Sequence, residues 1–228
     1  MLVKNVIDQL EELAPLHYAE SFDNVGLLTG SATNKLTGIL VSLDTLEAVV
    51  DEAIAHNCNL IVSFHPIIFK GLTHLNAKNY VEKAIIKAIK NDIAIYAIHT
   101  ALDNANNGVA ESMAQQLRLE HTRILIPKSG TIGKLDVHVP TKNASNLLEQ
   151  LFEAGAGSIG NYDKCSFSLT GEGTFMGNAE SKPKLGKRGQ LMRCEEQKIQ
   201  VTFPIHLKSK LLKAMFAHHP YEEVAYEI

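Results

Sequence analysis

Apolar residues in the first half of the chain recur either at helical spacing or as short continuous runs. Residues 3–13 have the spacing of an amphipathic helix, which Pro15 ends. The runs "GILVSL", "LIVSF" and "IAIYAI" are typical of strands buried on both faces of a parallel sheet. Helical patterns at 45–57 and 77–92 separate these runs, and a helix capped by an asparagine follows at 107–120. We therefore predict an α/β fold, with a parallel sheet covered by helices.

The pattern changes in the middle of the chain. The segment 123–134 contains a proline and two glycines, and we interpret it as a linker. Beyond it the predicted elements follow the order βαββαβ, which is the ferredoxin-like arrangement. Thr141 is the predicted cap of the first helix in this half. The sequence therefore predicts two domains, at 1–126 and 134–228.

The composition of the chain excludes some classes of protein. The 228 residues carry a formal net charge of -3 and are 45% hydrophobic, so a core is expected and a nucleic-acid interface is not. The cysteines number three and have no CxxC spacing, which favours neither a disulfide framework nor a zinc finger. No unbroken apolar stretch suggests a signal peptide or a membrane span. We expect a cytoplasmic protein without a membrane partner.

Polar side chains follow each of the three predicted parallel strands. Asp44 follows "GILVSL", His65 follows "LIVSF", and His99 and Asp103 follow "IAIYAI". Functional groups gather beyond the carboxyl ends of parallel strands, so these residues should meet at one edge of the sheet. Histidine and carboxylate ligands together suit zinc, iron, manganese or nickel better than calcium.

Local structural roles are the alternative for the same residues. We interpret Asp44, together with Thr45, as a cap of the helix that follows. Asp103 lies in "LDNANNG", which is rich in turn formers, and it also fits a turn cap. A lone histidine at a strand end is usually a surface residue, and we interpret His74 in this way. Two interpretations therefore stay open, namely a metal site at His65, His99 and Asp103, and the structural roles given above.

Two further stretches contain chemically suggestive residues. The glycine-rich "GAGSIGNY" at 155–162 follows a predicted helix, whereas a phosphate loop precedes one, so we predict a turn. The stretch "HHPYEE" at 218–223 contains Pro220, which prevents a continuous helix. We predict that it ends one helix and begins the last strand, and a second metal site is the alternative.

Several long motifs resemble a known family. "AESFDNVGLLTG", "VSFHPIIFKGL" and "AIHTALDNANNGV" resemble three signatures of the Nif-three-like family, whose members are often named GTP cyclohydrolase 1 type 2 homologs. "LFEAGAGSIGNYDKCSFSLTGEGTF" and "AHHPYEEVAYEI" resemble the CutA-like (PII-like) domain that is inserted in many bacterial members. The resemblance covers nearly the whole chain. It implies a Nif-three-like domain followed by a ferredoxin-like, CutA-like domain.

The resemblance also implies a function. It implies a dinuclear site for divalent metal cations, in which His65 and Asp103 are ligands and His99 is a ligand or lies beside the ligands. Phe64 occupies a position where the family often has another histidine, and Phe64 cannot bind a metal. The implied activity is that of a metal-dependent hydrolase with an unknown substrate. The alternative is a non-enzymatic oligomeric scaffold or regulatory module that acts through the CutA-like domain, in a homo-oligomer that is hexameric in the full-length family.

The family pattern continues beyond the CutA-like domain. There a further stretch completes the first domain and supplies another histidine and a bridging glutamate, whereas this chain ends at Ile228. We therefore expect a chain that lacks the C-terminal segment, an incomplete active site and weak metal binding.

Overall fold

The computed structural model describes all residues, Met1–Ile228, and they form two compact units. The first unit is Met1–Arg123 and the second is Ile124–Ile228. The domain limits 1–126 and 134–228 stay a prediction. No helix in the structure is long and apolar enough to cross a lipid bilayer. All the cysteines are free thiols.

The first unit alternates helices with short strands. Its helices are α1 (Val3–Leu13), α2 (Glu47–Ala55), α3 (Tyr80–Lys90), α4 (His99–Asp103) and α5 (Val109–Gln116), with a 3-10 helix at Leu16–Tyr18. Its strands are β1 (Gly26–Thr29), β2 (Ile39–Ser42), β3 (Leu60–Ser63) and β4 (Ala94–Ala97). These strands form one sheet in the order β1-β4-β3-β2.

Most of this sheet is parallel, as predicted. Strand β3 pairs in parallel with β2 on one side and with β4 on the other. The prediction missed β1, which pairs antiparallel with β4 and makes the sheet four-stranded and mixed. Strand β1 has only four residues, "GLLT", and no residue pattern there identifies a partner that lies about seventy residues away. The sheet is therefore not purely parallel.

The burial of the strands follows the helices that cover them. Strands β3 and β4 are buried throughout, as their continuous apolar runs predicted. The same prediction is wrong for β2, where Val41 is 76% exposed. The side chain of Leu40 packs against the core that α2 and α3 cover. Val41 lies on the opposite face of the sheet, beside Val62, and the core on that face contains residues of β3 and β4 but none of β2.

The second unit has the predicted element order βαββαβ. Its elements are β5 (Ile132–Pro140), α6 (Thr141–Glu153), β6 (Phe167–Phe175), β7 (Met192–Pro204), α7 (Lys208–His218) and β8 (Tyr226–Glu227), with a 3-10 helix at Ile205–Leu207. The strands form an antiparallel sheet in the order β6-β7-β5-β8. The core lies between one face of this sheet and helices α6 and α7. The last strand is shorter than its pattern predicted, with only two residues.

Two predicted helix caps are wrong, and one predicted turn is correct. Helix α5 begins after Gly108 instead of an asparagine, and helix α6 begins after Pro140, without a side-chain cap at either. Thr141 instead donates its hydroxyl to the backbone carbonyl of Glu195, at 3.3 Å. The glycine-rich stretch forms a turn in which Ile159 and Tyr162 exchange backbone hydrogen bonds of 2.8 and 3.0 Å.

Candidate functional site

The candidate site lies where the parallel strands of the first unit end. Backbone hydrogen bonds continue past the strand ends, because the N–H of His65 donates to Leu43 and the N–H of His99 donates to Phe64, both at 2.9 Å. This continued pairing places His65 beside the residues after β2 and His99 beside the residues after β3. The carboxyl edge of the sheet therefore collects both histidines.

His65 forms an exposed pair with Asp44. The distance from its Nδ1 to Oδ1 of Asp44 is 2.8 Å, and the side chains are 45% and 56% exposed. A carboxylate oxygen accepts, so we assign the ring hydrogen to Nδ1. The interpretation of Asp44 as a helix cap is wrong, because α2 begins after Leu46 without a side-chain cap. Thr45, its suggested companion, has a buried hydroxyl with no hydrogen-bond partner.

His99 forms a second, buried pair with Asp23. Its Nδ1 lies 2.9 Å from each carboxylate oxygen, and the Asp23 side chain is 0% exposed. The backbone N–H of Thr100 donates to the same carboxylate at 3.1 Å, and the Thr100 hydroxyl also donates to it. Burial alone would raise the pKa of Asp23, but the hydrogen bonds from Thr100, His99 and Asn24 hold the pKa below its ordinary value. Asp23 is therefore a fixed anion beside His99.

The backbone of His99 has an unusual conformation. Its φ is +24°, outside the regions that residues with a Cβ commonly adopt. His99 is also the first residue of α4, so the chain turns sharply here from β4 into the helix. Strained backbone of this kind often accompanies functional positions, where the surrounding contacts hold it in place.

The two histidine rings are neighbours. Their centroids lie 5.4 Å apart, and the ring of Phe64 contacts both edge-on, with centroid distances of 5.0 Å to His65 and 5.4 Å to His99. Each Nδ1 is engaged by a carboxylate, and neither Nε2 has a hydrogen-bond partner. Two neighbouring imidazole rings therefore each keep one nitrogen without a partner.

The other predicted positions contribute less to this cluster. Asp103 is the last residue of α4, four residues after His99, and it is exposed. His74 is exposed and contacts the neighbouring Thr73 hydroxyl at 3.0 Å, in keeping with its interpretation as a surface residue. No group of three or more His, Cys, Asp or Glu side chains is arranged to hold a metal ion in the structure.

Sequence reasoning missed Asp23 and Thr100. Asp23 lies in the motif "AESFDNVGLLTG", where the aspartate precedes β1 instead of following a parallel strand. The rule that functional groups follow parallel strands therefore did not select it. The available signal was the polar pair Asp23-Asn24 just before the apolar start of β1.

Comparisons with known proteins identify relatives over nearly the whole chain. The model of the Duf34/NIF3 (NGG1p interacting factor 3) family matches residues 1–167. Proteins named GTP cyclohydrolase 1 type 2 homolog match it from Bacillus subtilis (strain 168), at 38% identity, and from Halalkalibacterium halodurans, at 39%. Each match covers 99% of this chain and 61% of the relative, so the chain spans about three fifths of the length of these relatives.

A solved structure agrees with these relatives. The crystal structure of a Bacillus cereus protein related to NIF3 is 40% identical in sequence and has a TM-score of 0.83. The match covers 100% of this chain and 60% of that one. Sequence and fold therefore point to the same family.

Proposed function

The chain belongs to the Duf34/NIF3 family, and from that premise we propose that its first unit binds a divalent metal cation through His65 and His99. Asp103 is the proposed carboxylate ligand. Imidazole and carboxylate donors together suit zinc, iron, manganese or nickel. The family assignment supports this proposal, and the arrangement of the two histidines carries it.

The carrying observation is that each histidine is oriented by a carboxylate. Histidines that bind metals usually donate the N–H of the other ring nitrogen to a carboxylate, a backbone carbonyl or water. His65 does so to Asp44, and His99 does so to Asp23. In the neutral rings, this tautomer leaves each Nε2 with a lone pair that can bind a cation. The donor chemistry therefore fits a metal, and the ring centroids of the two imidazoles lie 5.4 Å apart.

The residues near the two histidines suggest one further ligand. Asp103 lies about one helical turn from His99, which makes it the nearest carboxylate in sequence without an assigned partner. Phe64 contacts both rings and adds no donor. The dinuclear site that the family resemblance implies requires donors beyond His65, His99 and Asp103.

The proposed chemistry is hydrolysis. A divalent cation held at such a site would lower the pKa of a bound water to about 7 and so supply a nucleophile at neutral pH. His65 and His99 hold the cation, and Asp44 and Asp23 fix the tautomers of the two rings. Many hydrolases share these donors, so we assign no substrate.

The experiment combines metal analysis with an activity screen. We expect the protein to take up a divalent metal when the metal is supplied in excess, and with that metal to hydrolyse at least one member of a phosphoester and nucleotide panel. His65→Ala should lower both, while His74→Ala, which removes an exposed histidine outside the cluster, should lower neither. Equal metal content in the two variants would refute the proposed ligand.

A second function is supported by the second unit. We propose that this unit is CutA-like and assembles a homo-oligomer, hexameric in the full-length family, through β6. This strand pairs only with β7, so one edge along its nine residues is open, and Phe167 and Leu169 on it are 59% and 53% exposed. Open strand edges of this length favour pairing with another chain.

This second proposal predicts a measurable mass. Light scattering should give a mass above that of the monomer, and Leu169→Lys should reduce it by placing a charge on the exposed strand. The matched change is Leu119→Lys, at an exposed leucine in the first unit. A monomeric unmodified chain, or equal effects of the two substitutions, would contradict assembly through β6.

A further inference from the structure

The second unit contains a cavity that the proposed metal site does not use. Its volume is about 610 Å³, which lies within the range of small-molecule sites. Leu135, Val137 and Val139 of β5 face the core, so His138, which lines the cavity, points to the opposite face of the sheet. The cavity therefore lies on the face that carries no helices, beneath the 176–185 loop.

A carboxylate is fixed at the floor of this cavity. The hydroxyl of Tyr221 donates to Oε1 of Glu196 at 2.8 Å. The other oxygen lies over Gly173, where an added Cβ would be only 2.2 Å from it. The absence of a side chain at Gly173 thus makes room for the Glu196 carboxylate. Burial, and then the hydrogen bond to Glu196, raise the pKa of Tyr221, so its hydroxyl remains a donor at neutral pH.

The charges around the cavity are mostly negative. Carboxylates of Glu180, Glu196, Glu222 and Glu223 line it, against the single ammonium group of Lys184. One of these carboxylates, that of Glu222, accepts the backbone N–H of Lys182 at 2.7 Å and so fastens the loop that covers the cavity. The imbalance favours a positively charged occupant.

Aromatic rings form another part of the wall. The rings of Phe175 and Tyr221 lie with their centroids 5.6 Å apart, and both line the cavity. Aromatic faces attract cations and also contact apolar groups. A bare metal ion would instead require converging donors, and no such group of three exists here. The walls therefore suit an organic cation with an apolar or aromatic body.

We propose that this cavity binds a small organic molecule that carries a protonated amine. The ammonium group pairs with Glu196, and the body of the molecule lies against Phe175 and Tyr221. This site is independent of the metal site of the first unit, because all of its lining residues belong to the second unit.

The first test uses matched probes. Tyramine carries an ammonium group, tyrosol replaces it with a hydroxyl, and 4-hydroxyphenylacetate replaces it with a carboxylate. Calorimetry and ligand-observed NMR on the whole chain should show that tyramine binds more tightly than tyrosol by about tenfold or more, the usual contribution of a charge-assisted hydrogen bond. The acid should bind least. Equal binding of the three probes would overturn the proposal, as would no binding of tyramine, agmatine or spermidine at millimolar concentration.

The second test uses two glycines of β6. Gly173→Ala should displace the Glu196 carboxylate, the flexible end of its side chain, and should weaken tyramine binding by about tenfold or more. Gly171→Ala is the control, because a Cβ there meets nothing within 4 Å. Glu196→Gln should weaken binding to a similar extent, while Glu153→Gln, an equal charge change on the exposed surface of α6, should not. Equal affinities across these variants would show that Glu196 does not bind the amine.

Discussion

His65 and His99 of the first unit differ from His219 of the second unit in how their ring nitrogens are engaged. In the first unit, His65 and His99 each engage only Nδ1, with a carboxylate, and leave Nε2 open. In the second unit, His219 engages both ring nitrogens with backbone groups. Its Nε2 lies 2.9 Å from the carbonyl oxygen of His138, and its Nδ1 accepts the N–H of Tyr221 at 3.1 Å. A carboxylate at Nδ1 together with an open Nε2 therefore distinguishes His65 and His99, which can bind a metal, from His219, which maintains structure.

This comparison predicts its largest effect on stability at His219. The side chain is 7% exposed, and His219→Ala leaves the carbonyl of His138 and the N–H of Tyr221 without partners. We expect a loss of about 2–4 kcal/mol in the stability of the second unit. Hydrogen exchange of backbone amides in β5 and α7 measures this loss.

The control for that prediction is the preceding residue. His218 is exposed, and its Nδ1 contacts only the carbonyl of Ala214 within the same helix, at 2.9 Å. His218→Ala should change the stability by no more than about 0.5 kcal/mol. Similar losses in the two variants would show that the double engagement of His219 has no special structural role.

A smaller effect should distinguish the carboxylates of the first unit. Asp23→Ala removes a fully buried acceptor and leaves His99 and both donors of Thr100 unpaired, so we expect a loss of about 2 kcal/mol. Asp44→Ala breaks an exposed pair, which typically contributes about 1 kcal/mol or less. Hydrogen exchange in β3 and β4 measures the difference. A greater loss of stability for Asp44→Ala than for Asp23→Ala would contradict the conclusion that the buried pair stabilises the first unit more than the exposed pair does.

The smallest effect concerns pH. Burial lowers the pKa of His219 below its ordinary value, because the charged ring would lose solvation. The unfolded chain therefore binds a proton more readily than the folded unit does. The stability contributed by neutral His219 is present above the unfolded pKa, near 6.5, and is lost as the pH falls below it toward the folded pKa.

The measurement follows unfolding of the second unit between pH 7.5 and about pH 5 by hydrogen exchange. In His219→Gln the amide keeps a polar group at this position and has no titration, so the loss of stability across this range should be smaller than in the unmodified chain. An equal pH dependence in both proteins would assign the effect to other groups.

The sequence predicts that His65 and His99 approach each other, but not what holds them. His65 and His99 meet because each follows a buried parallel strand, and those strands are identifiable from continuous apolar runs. In the sequence, Asp44 stands just before a helix and therefore resembles a helix cap. Whether its carboxylate contacts that helix or an imidazole depends on the pairing of strands that are distant in the sequence. Asp23 was missed for the same reason, because its partners His99 and Thr100 are far along the chain.

The fold shows the same limit. Helices α1, α3 and α6 follow from local periodicity, which one segment contains by itself. Strand β1 and the exposure of Val41 depend on which strand or core lies opposite, and no local pattern records that. The cavity of the second unit has the same origin, since Gly173 and Glu196 lie on different strands and Tyr221 follows α7.

The most direct test of the metal proposal observes the ring nitrogens themselves. In ¹⁵N-labelled protein titrated with Zn²⁺, long-range ¹H–¹⁵N NMR should show the Nε2 resonances of His65 and His99 shifting together. Their Nδ1 resonances should keep the signature of a protonated nitrogen, and the resonances of His219 should not change. Saturating Zn²⁺ without a shift at either Nε2, or with a shift at His219 instead, would contradict the assignment of His65 and His99 as metal ligands.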